Sequence, residues 1–179
     1  MDHHDHVRLL RGAVQPGAAT WADLGSGRGA FTLALADLLG PQGVIYSVDR
    51  DRDALRVQQQ AIARRFPVAA MNYLALDFTT HLSLPPLDGL VMANSLHFVR
   101  HKEAVVQLVM SYIKPGGQIV LVEYNTDAGN LWVPHPLSFD TWQQLAARCG
   151  LVATRKLAAV PSRFLGEIYS AQSYTARTV

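Results

Sequence analysis

Cysteine occurs once in the 179 residues, as Cys149, so the chain cannot form an internal disulfide or a cysteine-rich zinc site. Lysine is also scarce: only three are present, and no run of basic residues is longer than two. The formal net charge is +2, and the basic residues are scattered rather than clustered on one segment, unlike those of most nucleic-acid-binding proteins. We therefore expect no nucleic-acid partner.

Long apolar runs are missing as well. The longest, around 30–39, contains polar residues and falls short of the roughly 20 apolar residues that a membrane-spanning helix needs. The N-terminal residues MDHHDHVRLL lack the basic start and apolar centre of a secretory signal. We therefore expect a cytoplasmic protein with no membrane segment. We interpret His3, His4 and His6 as part of a flexible tail and expect no metal site.

The chain does contain enough apolar residues for a core. With 49% hydrophobic residues, it is predicted to form a single domain, 1–179, that buries roughly 70% of its unfolded-chain surface. Hydrophobic periodicity predicts strands at 20–24, 44–48, 73–76, 87–94 and 118–124, and helices at 6–13 (within an N-terminal helical segment, 1–19), 28–39, 51–66 and 101–113. This alternation is typical of a mostly parallel sheet with helices on both faces.

The C-terminal part of the chain follows another pattern. Residues 125–138 read as a long loop with two prolines, and loops of this length are often functional, so we predict that it lies on the substrate side. A helix is predicted at 138–149 and strands at 151–159 and 167–174. The connection between these two strands is too short for a crossover helix, so we expect antiparallel neighbours.

Three glycines alternate with other residues where the first predicted strand gives way to a helix. Gly25, Gly27 and Gly29 would permit a tight turn and a close approach of backbone N–H groups to a ligand, which predicts a cofactor loop. Gly25 and Gly27, with Ala30, also satisfy the dinucleotide fingerprint G-x-G-x-x-G/A. Asp49 ends the second predicted strand, where a carboxylate can bind a ribose diol in either kind of nucleotide cofactor.

Asp23 favours one of these cofactors over the other. A carboxylate directed into the loop would repel a pyrophosphate but would attract an ammonium group. An NAD(P)-dependent oxidoreductase leaves Asp23 unexplained, and no Tyr-x-x-x-Lys pair is present. The pattern D-x-G-x-G-x-G at 23–29 resembles the first motif of class I methyltransferases that use S-adenosyl-L-methionine.

Further segments resemble the same family in the expected order. They are Asp49 with Arg50 in YSVDRD, Asp77 with Phe78 in LALDFT, Asn94 in NSLHFV, and IKPGGQIVLVE at 113–123. In the family these segments bind the ribose hydroxyls, contact the adenine, follow strand four and lead into strand five. The chain departs from the family at Phe98, where a second histidine is common.

The resemblance implies a doubly wound, mostly parallel α/β sheet of seven strands in the order 3-2-1-4-5-7-6, closed by a C-terminal antiparallel strand. It implies S-adenosyl-L-methionine as cofactor and methyl transfer by in-line displacement. The implied cofactor-binding residues are Asp23, Gly25, Ser26, Gly27, Gly29, Asp49, Arg50, Asp77, Phe78 and Asn94.

The acceptor is less well defined by the sequence. NSLH lacks the [D/N]-P-P-[Y/F] motif of amino-methylating nucleic-acid enzymes, and no lysine precedes Lys102 to begin the tetrad of ribose-methylating enzymes. We therefore predict a small-molecule methyl acceptor. His97 is our candidate general base, because histidine titrates near neutral pH. The N-terminal segment, the 125–138 loop or a second subunit could complete the pocket, so a homodimer stays open, as does a non-catalytic cofactor-binding module.

Overall fold

Seven strands form one sheet in the order β3-β2-β1-β4-β5-β7-β6, in a computed structural model that describes residues 1–67 and 69–177. This confirms the predicted strand order; the predicted domain end at residue 179 lies outside the described residues. The strands are Thr20–Leu24 (β1), Val44–Val48 (β2), Ala70–Leu74 (β3), Leu87–Ala93 (β4), Ile113–Tyr124 (β5), Val152–Ser162 (β6) and Gly166–Tyr174 (β7). The helices are His3–Leu10 (α1), Ala30–Leu39 (α2), Arg52–Arg65 (α3), Lys102–Met110 (α4) and Phe139–Arg148 (α5), with short 3₁₀ turns at Gly40–Gln42 and Leu96–Phe98.

The first five strands pair in parallel, and β7 runs antiparallel between β5 and β6, as predicted. Parallel pairing places the carboxyl ends of β1, β2, β4 and β5 at one edge of the sheet. Ligands bind at this edge in open α/β sheets.

Helices cover both faces of the sheet, which is also as predicted. On one face α1 and α2 pack over β1, β2, β4 and β5, with Trp21 and Val120 among the buried side chains. On the other face α4 and α5 cover the same strands, and Trp142 is completely buried. Both faces of the central strands are therefore apolar, which is typical of parallel sheets.

The N-terminal residues were wrongly interpreted as a flexible tail. The helix runs over His3–Leu10, earlier than the predicted 6–13, and the side chains of Asp2 and Asp5 form a reciprocal capping box at its start. Leu10 is fully buried, and His3 Nε2 lies 2.9 Å from Asp37 Oδ2 on α2. This segment therefore belongs to the packed core.

Several other boundaries differ from prediction: β5 begins at Ile113 rather than at 118, α4 ends at Met110 rather than at 113, and β6 ends at Ser162 rather than at 159. Two further differences have local reasons. The third strand covers Ala70–Leu74 rather than 73–76, because its register with β2 ends where Leu74 faces Val48. The helix predicted from residue 28 begins at Ala30, because Gly29 adopts a left-handed φ of 87° at its N-cap. Residues 125–138 contain no helix or strand, as predicted. None of the helices within the described ranges has the length and apolar character needed to cross a bilayer.

Candidate cofactor site

A cavity of about 530 Å³ opens at the carboxyl ends of the parallel strands. Six of the predicted cofactor residues line it: Gly25, Asp49, Arg50, Asp77, Phe78 and Asn94. The remaining lining residues, Leu76, Thr79, Ser95, Phe98 and Val99, lie within or next to the segments that carried the family resemblance. Segments that are up to 74 residues apart in sequence therefore meet around one space (99 − 25 = 74).

The glycine loop reaches the cavity through Gly25, which packs closely against the turn after β4. A Cβ built on Gly25 would lie 2.5 Å from the Cβ of Ser95, and the φ of Gly25 is 74°. The hydroxyl of Ser95 donates to the carbonyl oxygen of Leu24 at 2.8 Å. A side chain at position 25 would therefore separate two walls of the cavity.

Asp49 connects the end of β2 to the glycine loop. Its Oδ2 accepts a hydrogen bond from the backbone N–H of Gly27 at 2.7 Å, and its Oδ1 accepts one from Asp51 at 2.8 Å. The side chain is half-buried and also lines the cavity. A carboxylate held in this way can accept hydrogen bonds from a vicinal diol without a large change in its own position.

Asp23 lies beneath the loop rather than on the cavity wall. It is 1% exposed, and its Oδ2 accepts a hydrogen bond from the Thr32 hydroxyl at 2.6 Å. Burial raises the pKa of Asp23 to about 7, against the hydrogen bond from Thr32 and with a smaller contribution from Asp49. Contact between Asp23 and a cofactor stays a prediction.

Oδ1 of Asp23 and Oδ1 of Asn94 are buried and have no hydrogen-bond partner among the described residues. They belong to adjacent strands, since Asp23 pairs with Val91 and Asn94 directly follows β4. Asn94 also adopts a positive φ of 51°, which is uncommon for a residue other than glycine. A buried acceptor without a partner is unfavourable, and the ammonium group of a ligand could donate a hydrogen bond to either atom. These residues therefore fit the ammonium end of S-adenosyl-L-methionine.

Asp77 and Phe78 follow β3 on the opposite side of the cavity. Asp77 Oδ1 accepts hydrogen bonds from the N–H and the hydroxyl of Thr79, at 2.9 and 2.7 Å. These bonds hold the pKa of Asp77 below its usual value. Both bonds use Oδ1, so Oδ2 can accept a hydrogen bond from an amino group of a ligand.

His97 does not line the cavity. It is 3% exposed, and its Nδ1 lies 2.9 Å from Oε2 of Glu123, which is fully buried at the end of β5. The His97 ring packs against Phe98, with 4.3 Å between ring centroids, and Phe98 does line the cavity. Sequence reasoning missed Glu123; its only sequence signal is an acidic residue near the end of the apolar run QIVLVEY.

Ser26, Gly27 and Gly29 complete the loop without lining the cavity. The Ser26 hydroxyl accepts hydrogen bonds from Ser47 at 2.7 Å and from Gln58 at 3.2 Å. Neither partner was identified from the sequence. Within the described part of the chain, no residue of α1 and none of 125–138 lines this cavity, so their part in completing the pocket stays a prediction.

Comparisons with known proteins agree with the fold and with the family that the sequence resembles. A family model described as a methyltransferase domain matches residues 18–162. The ubiquinone/menaquinone biosynthesis C-methyltransferase UbiE of Cupriavidus taiwanensis is 25% identical over 137 residues, which are 75% of this chain and 53% of that protein. The chain thus spans about half the length of the curated relatives it matches.

Solved structures share the fold. A SAM-dependent methyltransferase from Aquifex aeolicus superposes with a TM-score of 0.75 at 16% identity, covering 96% of this chain and 90% of that one. An arsenic(III) S-adenosylmethionine methyltransferase from Chlamydomonas reinhardtii gives 0.72 at 17% identity, covering 92% of this chain and 65% of that one.

These matches do not favour the oxidoreductase alternative, which rested on a fingerprint that the glycine loop shares. The family model spans more than half of the chain, and the strand order agrees with the order that the resemblance implied. The chain belongs to the class I S-adenosyl-L-methionine-dependent methyltransferase family.

Proposed function

We propose that this chain binds S-adenosyl-L-methionine in the cavity at the carboxyl edge of the sheet and methylates a small organic acceptor. The observation that carries the proposal is the buried Oδ1 of Asn94, which has no partner among the described residues and belongs to the wall of a cavity that Asp49 also lines; Asp23, on the neighbouring strand, carries a second such oxygen. In this proposal the ammonium group of the cofactor donates hydrogen bonds to Asp23 and Asn94, and its ribose diol donates hydrogen bonds to Asp49. A pyrophosphate would place negative charge beside these oxygen atoms instead.

The remaining predicted residues bind the other half of the cofactor, on the opposite side of the cavity. In this proposal Arg50, Asp77 and Phe78 surround the adenosine half, with Oδ2 of Asp77 accepting from the adenine amino group. The glycine loop approaches the cofactor with bare backbone, because Gly25 has no side chain between it and the cavity.

The bound cofactor supplies a methyl group on a sulfonium, and the protein has to hold the acceptor atom in line with it. Orientation of this kind can remove roughly 7 to 11 kcal/mol of barrier. Phe98 and Val99 form an apolar part of the wall. Phe98 is 65% exposed, so it also provides a surface on which an acceptor can pack.

For an acceptor that must lose a proton, we propose His97 as the general base; because His97 is 3% exposed and does not line the cavity, this role requires the adjacent Phe98 to move when the acceptor binds. Its Nδ1 is bound to Glu123, so Nε2 is the nitrogen that takes the proton. Aromatic side chains extend from this point: the Tyr124 ring lies 6.1 Å from His97 and 6.0 Å from Phe164. An apolar or aromatic organic acceptor fits this surface. The UbiE relatives are named as C-methyltransferases of ubiquinone/menaquinone biosynthesis, which supports an organic acceptor.

Isothermal titration calorimetry with S-adenosylhomocysteine and, separately, with NAD tests the cofactor. We expect S-adenosylhomocysteine to bind and Asp49→Ala to weaken that binding, whereas Asp53→Ala, at an exposed position on α3, leaves it unchanged. Binding of NAD alone would overturn the proposal. Transfer of label from [methyl-³H]S-adenosylmethionine to a panel of small phenols, quinols and amines then separates an enzyme from a non-catalytic binding module.

A further inference from the structure

Gln58 is a polar residue on the buried face of α3. It is 0% exposed, and the neighbouring buried positions on this face are the apolar residues Ala54, Leu55 and Ile62. Gln58 does not line the cavity. A buried amide is unfavourable unless it makes hydrogen bonds, so the bonds of Gln58 indicate what it does.

Both hydrogen bonds of Gln58 go to the glycine loop. Its Nε2 donates to the hydroxyl oxygen of Ser26 at 3.2 Å and to the carbonyl oxygen of Gly27 at 3.3 Å. The same Ser26 oxygen accepts from the Ser47 hydroxyl at 2.7 Å. The loop is therefore held from α3 and from β2 at once.

The shape of the loop is matched to the Gln58 side chain. A Cβ built on Gly29 would lie 2.2 Å from Cγ of Gln58, and the φ of Gly29 is 87°. Gln58 thus occupies the space that Gly29 leaves free. Moving either group would change the start of α2, where Gly29 is the N-cap.

Filling this space with an amide has an energetic cost. Oε1 of Gln58 is buried and has no hydrogen-bond partner among the described residues. A methionine has nearly the same length and shape and would bury no unpartnered oxygen. The donor group is therefore the part of Gln58 that packing does not explain.

We propose that Gln58 is a positioning residue for cofactor binding. From its place outside the cavity, it holds Ser26 and Gly27 in the geometry that binding requires. This inference rests on the proposed binding of S-adenosyl-L-methionine. A glycine-rich loop that is not held has more conformational freedom to lose when a ligand binds, which weakens affinity. Gln58 reduces that loss before the cofactor arrives.

The variant Gln58→Met tests this, because it keeps the packing volume and removes the donor. We expect S-adenosylhomocysteine to bind about tenfold more weakly by calorimetry, as for the loss of one or two hydrogen bonds. We expect little change in the melting temperature, because removal of the unpartnered Oε1 offsets the loss of the two hydrogen bonds to the loop. The matched control Gln59→Met, at an exposed position on the same helix, should change neither quantity.

Hydrogen exchange of the amides at 26–29 in the ligand-free protein gives a second readout. We expect faster exchange in Gln58→Met and, independently, in Ser47→Ala, which removes the other bond to Ser26. If Gln58→Met binds as tightly as the wild type, or exchange at 26–29 is unchanged, Gln58 is only a packing residue and the inference is wrong. Absence of binding by the wild type would instead refute the proposed function, and this inference with it.

Discussion

His97 Nδ1 lies 2.9 Å from Oε2 of Glu123, and both side chains are almost completely removed from solvent. The pair connects the turn after β4 to the end of β5, beside the cavity wall. Oε1 of Glu123 also accepts from the backbone N–H of Tyr124 at 2.8 Å. A neutral imidazole that donates from Nδ1 has its lone pair on Nε2, so Glu123 determines which nitrogen is free.

Removal of Glu123 should destabilise the fold. Glu123→Ala leaves the Nδ1–H of His97 and the N–H of Tyr124 without an acceptor in a buried region. We expect the free energy of unfolding to fall by about 2 to 5 kcal/mol in urea denaturation. Glu103→Ala is the control: its 3.6 Å ion pair with Arg148 is about half exposed, and we expect a loss below about 1 kcal/mol. Equal losses in the two variants would contradict the account of the buried pair.

Asp23 should make stability depend on pH. Its folded-state pKa of about 7 lies above the ordinary value of 3.8, so ionisation opposes folding. The penalty is absent below about pH 4, grows between pH 4 and 7, and is complete above pH 7, at about 4 kcal/mol for a shift of about three units. Asp23→Asn should therefore be more stable than the wild type at pH 8 and nearly equal to it at pH 4. Urea denaturation at both values measures this, and a difference independent of pH would contradict it.

The same carboxyl should make cofactor affinity depend on pH. If the ionised form of Asp23 binds the ammonium group, the protein must release a proton to bind below about pH 7. We expect the affinity for S-adenosylhomocysteine to fall about tenfold per pH unit below that value. In Asp23→Asn the affinity should be weaker at pH 8 and nearly constant with pH. Calorimetry in buffers of different ionisation enthalpy counts the released proton directly; no release at pH 6 would exclude this role.

Gly29→Ala should separate backbone strain from steric overlap. The added Cβ meets Gln58 and also forces a non-glycine residue to a φ of 87°, and we expect a loss of about 2 to 4 kcal/mol. Gly150→Ala is the control, because its φ is also 87° but nothing lies within 4 Å of the added Cβ, so only about 1 to 2 kcal/mol of strain is expected. In the double variant Gly29→Ala/Gln58→Ala the overlap is relieved. A double variant no better than the sum of the single ones would rule out the proposed contact.

The strand order and six of the residues that line the cavity could be predicted because their signals are local. Asp23 to Gly29 is one short motif, and Asp49, Asp77 and Asn94 each follow a strand whose apolar run is visible. The capping pair Asp2 and Asp5 is also a local signal, and it was overlooked in favour of the neighbouring histidines.

Gln58 and Glu123 could not be identified in the same way. Each acts through a residue at least 26 positions away, and the pairing depends on how α3 packs on the loop and how β5 lies beside β4. Both residues lie within otherwise ordinary helix and strand sequences. The burial of Asp23 beneath the loop likewise depends on packing, which the motif does not specify.

In the proposed complex, acidic and amide oxygens at the ends of β1, β2 and β4 bind the ammonium group and the ribose hydroxyls of the cofactor. A crystal structure of the complex with S-adenosylhomocysteine tests it most directly. We predict the ribose hydroxyls within hydrogen-bond distance of Asp49 and the amino group within that distance of Asn94 Oδ1 or Asp23 Oδ1. A ligand bound elsewhere, or bound here with both Asp49 and Asn94 out of contact, would contradict the account.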